Sequence, residues 1–159
     1  MRYPKLLLAG ILLLNAFNSY AEDHHVFVGA GGNTPGISMN YEYKFSKNLW
    51  GGVGLGYYHG KPFGNDVSVT SIGVPVFLNA LWFEGEHKLE TGAGVTYISS
   101  AAEDSFNSLT AEGAAVLPVF SFGYRYMPTN GLTFRAVVSP VVTDSGLRFG
   151  LGFGLGFAF

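Results

Sequence analysis

The chain has 159 residues, of which 48% are hydrophobic, 16% aromatic and only 13% charged, and its formal net charge is −2. This charge gives no sign of a nucleic-acid partner, which would require a basic surface, and the absence of cysteine excludes a disulfide framework. After residue 21 the sequence has no run of about 18 apolar residues, so a helical membrane protein is not expected.

The first 21 residues have the pattern of a secretory signal peptide. Two basic residues precede an apolar run from Leu6 to Leu14, and Ala21 completes a small-x-small ending. Cleavage after Ala21 would leave residues 22–159 as one domain, with seven basic and eleven acidic residues. We therefore expect an exported, mildly acidic protein.

Eight segments of the mature region alternate between apolar and other side chains, and turn residues separate them. The first, from His25 to Gly32, has the weakest alternation, whereas the second, from Ile37 to Phe45, alternates without a break. The longest loop is expected from Ser100 to Thr110. The remaining segments are predicted at residues 49–60, 67–83, 87–99, 114–127, 132–142 and 147–159.

The last segment alternates most strictly. Leucine and phenylalanine occupy one side, while Arg148, four glycines and Ala158 occupy the other. A strand with one apolar face and one nearly bare face places the apolar face in lipid or in a core. A C-terminal aromatic residue preceded by apolar residues at alternate positions resembles the signal that the barrel-assembly machinery uses for bacterial outer-membrane β-barrels. Here the signal would consist of Phe153, Leu155, Phe157 and Phe159.

Strands of this length and even number predict an all-β fold, an eight-stranded antiparallel up-and-down transmembrane β-barrel. A strand needs about 9 to 11 residues to cross a bilayer at a tilt, and an even number returns both termini to the periplasmic side. A water-soluble barrel with its apolar faces inward is the alternative. The girdle expected at the periplasmic interface consists of Tyr41, Tyr43, Trp82, Tyr124 and Tyr126.

Three runs carry a family resemblance: His87–Gly94, Gly123–Tyr126 and Gly131–Arg135. They are similar to uncharacterised members of the small eight-stranded outer-membrane barrels of Gram-negative bacteria, and the likeness covers the whole mature region. The resemblance implies a location in the outer membrane, surrounded by its lipid. The group includes stabilising proteins, adhesion or defence proteins and lipid-modifying enzymes, so the fold alone does not determine the function.

Charged side chains at alternate positions should point into the barrel. One interpretation is a set of ion pairs that plugs the lumen, because eight strands enclose a space just wide enough for side chains to fill. The other is a gated path for ions or protons, for which the glycine-rich faces would leave room. The predicted lumenal ion-pair network consists of Glu42, Lys44, Glu90, Arg125, Arg135 and Arg148.

Catalysis has a weaker basis in the sequence. Lipid-modifying barrels use a histidine with a serine and an acidic residue, and His59 ends the third strand near four such residues. However, His59 has outward parity, and no His-x-Ser motif occurs. His24 and His25 could bind a metal, but an adjacent pair beside a cleavage site more often has no function. We therefore expect no catalytic residue, no metal site and no cofactor. The four residues near His59 are Asp66, Ser68, Asp104 and Ser105.

The sequence favours a non-enzymatic outer-membrane barrel with a structural or surface-interaction role and a mostly filled lumen. A narrow ion or small-solute channel and, with less support, a lipid-modifying enzyme are the alternatives. An extracellular ligand would bind the outer loops, which are predicted at residues 61–66 and 100–110.

Overall fold

A computed structural model describes residues 23–61, 67–104, 110–143 and 146–159. The predicted signal peptide, residues 1–21, lies outside the described residues, as do residues 62–66 of the first predicted ligand loop. Within the described ranges, no helix is long and apolar enough to cross a membrane.

Eight antiparallel strands form one closed barrel, in which each strand pairs with its neighbours in sequence and the last strand pairs with the first. This confirms the predicted eight-stranded antiparallel barrel. The strands are β1 (His24–Gly31), β2 (Ile37–Lys44), β3 (Leu49–Gly60), β4 (Val67–Trp82), β5 (His87–Asp104), β6 (Thr110–Tyr126), β7 (Leu132–Thr143) and β8 (Gly146–Ala158).

The barrel closes where β8 pairs with β1. The register begins with His25 opposite Ala158 and ends with Gly31 opposite Gly152. Beyond this ladder, the backbone N–H of Phe159 donates to the carbonyl oxygen of His24 at 2.8 Å. Closure gives the backbone groups of both terminal strands a partner, which an open sheet in an apolar surround would lack.

The two rims of the barrel differ in their connections. One rim carries the start of β1, the end of β8 and the short turns at residues 45–48, 83–86 and 127–131. We call it the terminal rim, and the opposite end the loop rim. Gly85 and Gly131 have φ values of 89° and 81°, which glycine adopts without the steric cost that a Cβ would add. Glycine at these two positions therefore allows short turns, residues 83–86 and 127–131, to connect neighbouring strands.

The two faces of the wall have opposite character. On β4, the side chains of Ile72, Val76 and Leu78 are exposed, whereas those of Phe77 and Asn79 are buried. The same alternation runs around the barrel. Most large apolar side chains point outward, while the lumen holds polar groups together with a smaller apolar set that includes Phe27, Trp50 and Phe77. The alternative of a water-soluble barrel with apolar faces inward is therefore wrong.

The longest loop predicted from the sequence is shorter than expected. Residues 100–104 continue β5, where Ser100 pairs with Ser71 of β4 and with Gly113 of β6. Serine and alanine interrupt the apolar alternation here, but backbone groups make the ladder and do not need it. The predicted ligand loop 100–110 is thus mostly strand, and residues 105–109 lie outside the described residues.

Prolines interrupt two of the ladders. The pairing of β3 with β4 skips from Val53 opposite Val76 to Gly56 opposite Gly73, and the fully buried Pro75 lies in the interval. The pairing of β6 with β7 has a similar gap around Pro140. Proline has no backbone N–H to donate, so the ladder loses bonds at these points while the register on both sides is kept.

Lumenal glycines make room for side chains of the adjacent strand. A Cβ on Gly52 would lie within 3.0 Å of the ring of Phe77, and a Cβ on Gly54 would meet the amide of Asn40. These large side chains therefore lie flat against the backbone of the next strand, and the glycine face is covered by them.

We predict that Gly123→Ala destabilises the barrel by about 1 to 3 kcal/mol, the usual cost of overpacking. A Cβ on Gly123 would lie within 3.0 Å of the Ala136 carbonyl oxygen and of the Val137 Cα, both backbone atoms that cannot move aside cheaply. Gly113→Ala is the control on the same strand, because nothing lies within 4 Å of its Cβ position. Urea unfolding in detergent would measure both, and equal stabilities would contradict the prediction.

Candidate functional site

Four charged side chains from four strands meet in the lumen. Glu42 comes from β2, Glu90 from β5, Arg125 from β6 and Arg135 from β7, and all four are buried. We call them the ion cluster. Their formal charges cancel, so the ion cluster carries no net charge when all four side chains are ionised.

Arg125 is the centre of the ion cluster. Its Nη2 donates to Glu42 Oε1 at 3.0 Å, and its Nε donates to Glu90 Oε2 at 2.7 Å. Glu42 also accepts from Nη1, so this contact is bidentate. A planar guanidinium is suited to such a contact because its N–H groups have the spacing of the two carboxylate oxygens. One side chain therefore links β6 to β2 across the lumen and to β5 beside it.

Arg135 completes the charge balance. Its Nε donates to Glu90 Oε1 at 2.8 Å, so the Glu90 carboxylate accepts from two arginines. The guanidinium carbon of Arg135 also lies 5.2 Å from the centroid of the Phe27 ring, a distance at which a cation and an aromatic face attract each other.

Neutral polar groups occupy the remaining acceptor positions of Glu42. Asn79 Nδ2 donates to Glu42 Oε1 at 2.6 Å, and His25 Nδ1 lies 3.0 Å from Glu42 Oε2. Both residues are fully buried. Because the carboxylate can only accept, this histidine must carry its proton on Nδ1 to bond with an ionised Glu42. His25 is thus a buried contact of the ion cluster, which was not predicted from the sequence.

Apolar side chains cover the ion cluster on both sides along the barrel axis. On β4, Asn79 lies between Phe77 and Leu81, and both of these are buried. On β7, the buried Val137 follows Arg135 toward the loop rim. A cavity on that side has a volume of about 10 Å³, close to the least space that one water molecule needs. Side chains therefore fill the lumen around the ion cluster.

Three buried polar atoms near the cluster have no hydrogen-bond partner among the described residues: His25 Nε2, Asn79 Oδ1 and Ser121 Oγ. A Cβ on Gly92 would lie within 3.0 Å of both Asn79 Oδ1 and Ser121 Oγ. These two oxygens therefore converge on a point of the wall where only glycine fits.

Two predicted members of the network do not form part of the described cluster. Lys44 lies at the terminal rim, where its Nζ is 3.4 Å from Asp23 Oδ1 and 5.8 Å from the centroid of the Trp50 ring. Its inward parity was predicted, but its position as the last residue of β2 lets the ammonium group reach solvent. The backbone of Arg148 belongs to β8, but its side chain lies outside the described residues.

Of the catalytic candidates, only His59 and Ser68 have side chains within the described residues. His59 is exposed on the outer face, where its Nδ1 lies 2.9 Å from Thr70 Oγ1. Ser68 is part of β4. Asp66, Ser105 and the side chain of Asp104 lie outside the described residues. Within the described residues, no group of three or more His, Cys, Asp or Glu side chains could hold a metal ion.

The predicted girdle residues lie at the terminal rim and point outward. Tyr41, Tyr43, Trp82 and Tyr124 are exposed, and Tyr126 is half-buried. Two of the tyrosines bond to histidines, since His24 Nδ1 lies 2.6 Å from the Tyr41 hydroxyl oxygen and His87 Nδ1 lies 2.5 Å from that of Tyr124. The two pairs occupy the β1–β2 and β5–β6 hairpins, four strands apart in a barrel of eight.

The residues of the predicted assembly signal lie on the closing strand or just after it. Phe153 and Leu155 are exposed, and Phe157 pairs with Val26 of β1. Phe159 follows β8, and its ring stacks on that of His24 with centroids 5.8 Å apart.

We predict that Arg125→Met destabilises the barrel by about 3 to 5 kcal/mol, because it leaves Glu42 and Glu90 buried with too few donors. Adding Glu42→Gln to Arg125→Met should recover part of this loss, since it removes one of the stranded charges. Denaturant unfolding of both single variants and of the double variant would measure the coupling. Strictly additive losses would show that the two side chains do not act together.

Comparisons with solved structures identify the fold. The chain is similar to the N-terminal barrel domain of Pseudomonas aeruginosa OprF, with a TM-score of 0.58, 15% identity, and coverage of 86% of this chain and 95% of that one. Neisserial surface protein A gives a TM-score of 0.58, 15% identity and coverage of 86% and 94%. Ail, the attachment invasion locus protein of Yersinia pestis, gives 0.56, 10% identity and coverage of 86% and 93%.

No protein-family model and no curated protein sequence matches the chain. At 10% to 15% identity, the structural likeness identifies the fold and leaves the function open. The chain therefore has the fold of the small eight-stranded outer-membrane β-barrels.

Proposed function

We propose that this protein is a non-enzymatic outer-membrane β-barrel with a structural or surface-interaction role and a lumen filled by side chains. The observation that carries the proposal is the ion cluster, which joins β2, β5, β6 and β7 through the middle of the barrel. A group that ties four strands together in this way stabilises the shape of the barrel and obstructs the passage of solutes.

The outer wall supports the membrane location. Large apolar side chains are exposed on all eight strands. Tyr41, Tyr43, Trp82 and Tyr124 are exposed near the terminal rim, while Tyr57 and Tyr97 lie farther toward the loop rim. A band of apolar residues with an aromatic girdle is typical of barrels that span the outer membrane. The signal peptide predicted from the sequence and the fold shared with outer-membrane barrels support the same location.

The connections support an orientation with both termini in the periplasm. Outer-membrane barrels have short periplasmic turns and longer extracellular loops. The turns at the terminal rim span 4, 4 and 5 residues, namely 45–48, 83–86 and 127–131. The loop rim would then face outward, where β4, β5 and β6 reach farthest, with 16, 18 and 17 residues.

A surface-interaction role would use the loop rim. Of the proteins that share the fold, Ail is named for attachment and invasion, and one of its structures contains the heparin analogue sucrose octasulfate. Residues 61–66 and the tip between β5 and β6 are the segments of this chain that would meet an extracellular ligand. The structural role needs no ligand, and the conductance of the barrel distinguishes it from the channel alternative.

We predict that the folded mature chain gives no steady openings in a planar bilayer, because the ion cluster and its apolar cover fill the lumen. Folding would first be established by the heat-dependent mobility of the protein on a gel. Steady, reproducible openings of the wild-type barrel would overturn the filled-lumen proposal and favour the narrow channel.

The double variant Arg125→Ala with Arg135→Ala extends this test. A structural plug predicts a barrel that unfolds at a lower temperature, because Glu42 and Glu90 lose their donors. A gate predicts higher conductance at unchanged heat resistance. Lys61→Ala is the control, because this lysine is exposed after the end of β3 and not in the ion cluster.

A further inference from the structure

A shallow apolar groove crosses the outer wall near the terminal rim, from β2 to β5. Tyr41, Tyr43 and Phe45 line it from the β2 side, and Leu78 and Val95 line it from the β4 and β5 side. Its volume is about 610 Å³. The groove crosses the strands beside the girdle, and its apolar lining faces outward from the wall.

Small residues between larger ones create the groove. Ala93 points outward from β5 with only a methyl group, between the larger side chains of Leu78 and Val95. Gly51 of β3 has no side chain, and the ring of Phe45 folds over it, because a Cβ there would lie within 3.0 Å of the ring. Phe45 therefore covers Gly51 at the end of the groove next to the rim, and the small side chain of Ala93 leaves the groove open at β5.

A charged pair stands at the rim above the groove. Lys47 follows Phe45 in the β2–β3 turn, and Glu84 lies in the β4–β5 turn, after the strand that supplies Leu78. Lys47 Nζ lies 2.6 Å from Glu84 Oε1, and the two side chains are 77% and 84% exposed. Hydrogen bonding to Lys47 lowers the pKa of the Glu84 carboxyl, so both groups are charged at neutral pH.

An exposed pair of this kind is available to other ions. Solvent-exposed ion pairs contribute little to stability. Lys47 and Glu84 can therefore separate and bind a ligand with little loss of free energy. The same turn holds Phe83 with a φ of 71° and 71% of its surface exposed. A large aromatic residue at the level of the girdle prefers the boundary between lipid and water, which places the charged pair at headgroup height.

We propose that the groove and the Lys47–Glu84 pair bind one phospholipid of the adjacent leaflet, with an acyl chain in the groove and a phosphoethanolamine headgroup at the pair. The phosphate would meet the Lys47 ammonium, and the headgroup ammonium would meet the Glu84 carboxylate. This inference rests on the proposed membrane location.

A second hollow of the wall shows what the charges add. It is lined by Val28, Ala30, Ile37, Phe134 and neighbouring residues of β8, and its volume is about 540 Å³. Neither this hollow nor the groove has a charged lining residue, so any headgroup contact at the groove comes from the turns of the terminal rim. Acyl chains can fill either hollow, and the turns above the groove supply Lys47 and Glu84 as partners for both charges of a zwitterionic headgroup.

The test is native mass spectrometry of the mature barrel, stripped of lipid in detergent and offered equal amounts of palmitoyl-oleoyl phosphatidylethanolamine, phosphatidylcholine and phosphatidylglycerol. The wild-type barrel should retain one phosphatidylethanolamine in preference to the other two. Phosphatidylcholine has no N–H to donate to Glu84, and phosphatidylglycerol has no ammonium group.

Two variants test the two parts of the site. Ala93→Leu should lower the retention of phosphatidylethanolamine by about tenfold, because its added atoms exclude about two methylenes of the chain. Lys47→Gln with Glu84→Gln should lower it by about fivefold and remove the preference among headgroups. Ala30→Leu fills the second hollow and is the matched control, with retention unchanged.

The outcomes separate this inference from the proposed function. A barrel that fails to insert into liposomes would overturn the membrane location itself. A barrel that inserts but retains the three lipids equally, or loses as much lipid through Ala30→Leu as through Ala93→Leu, would overturn the site while the proposed function stands.

Discussion

Backbone hydrogen bonding is the constraint on which the rest of this structure depends. The outer wall is apolar, and in such a surround an unpaired N–H or C=O group has no water to bond. Pairing β8 with β1 removes both edges of the sheet, and closure in turn fixes the size of the lumen. The choice of lumenal side chains follows from that size, because eight strands leave room only for side chains that fit against one another.

The ion cluster is one solution to filling that space with polar groups. Buried ion pairs are weak evidence for net stability, because each ion must first lose its hydration. Here the two arginines balance the two glutamates, and Asn79 and His25 supply further contacts to Glu42. The arrangement determines which side chains pair with each other in the lumen. This is a requirement for a single register around the barrel, since a shift of one residue would turn these side chains toward the outer face.

Much of this architecture could be predicted from the sequence, because a wall with one apolar face imposes a period of two on each strand. The period identified the strands and the inward parity of Glu42, Glu90, Arg125 and Arg135. It could not give positions along the axis, so Lys44 was grouped with residues deeper in the barrel. The period also gave His25 inward parity, because Val26, Val28 and Ala30 lie on the opposite face. It did not indicate that His25 would contact Glu42. The length of β5 was missed because ladder bonds do not depend on apolar alternation.

The flat packing of lumenal side chains over glycines has a consequence for how such a chain can change during evolution. On the outer face, one apolar side chain can replace another with little effect, because lipid adapts to its shape. In the lumen, Phe77 over Gly52 and Asn40 over Gly54 are fitted pairs, and a new side chain at either glycine must displace its partner. Sequences with this fold can therefore differ at most positions, as identities of 10% to 15% illustrate. Descendants of one ancestor should be recognised by the lumen that they share.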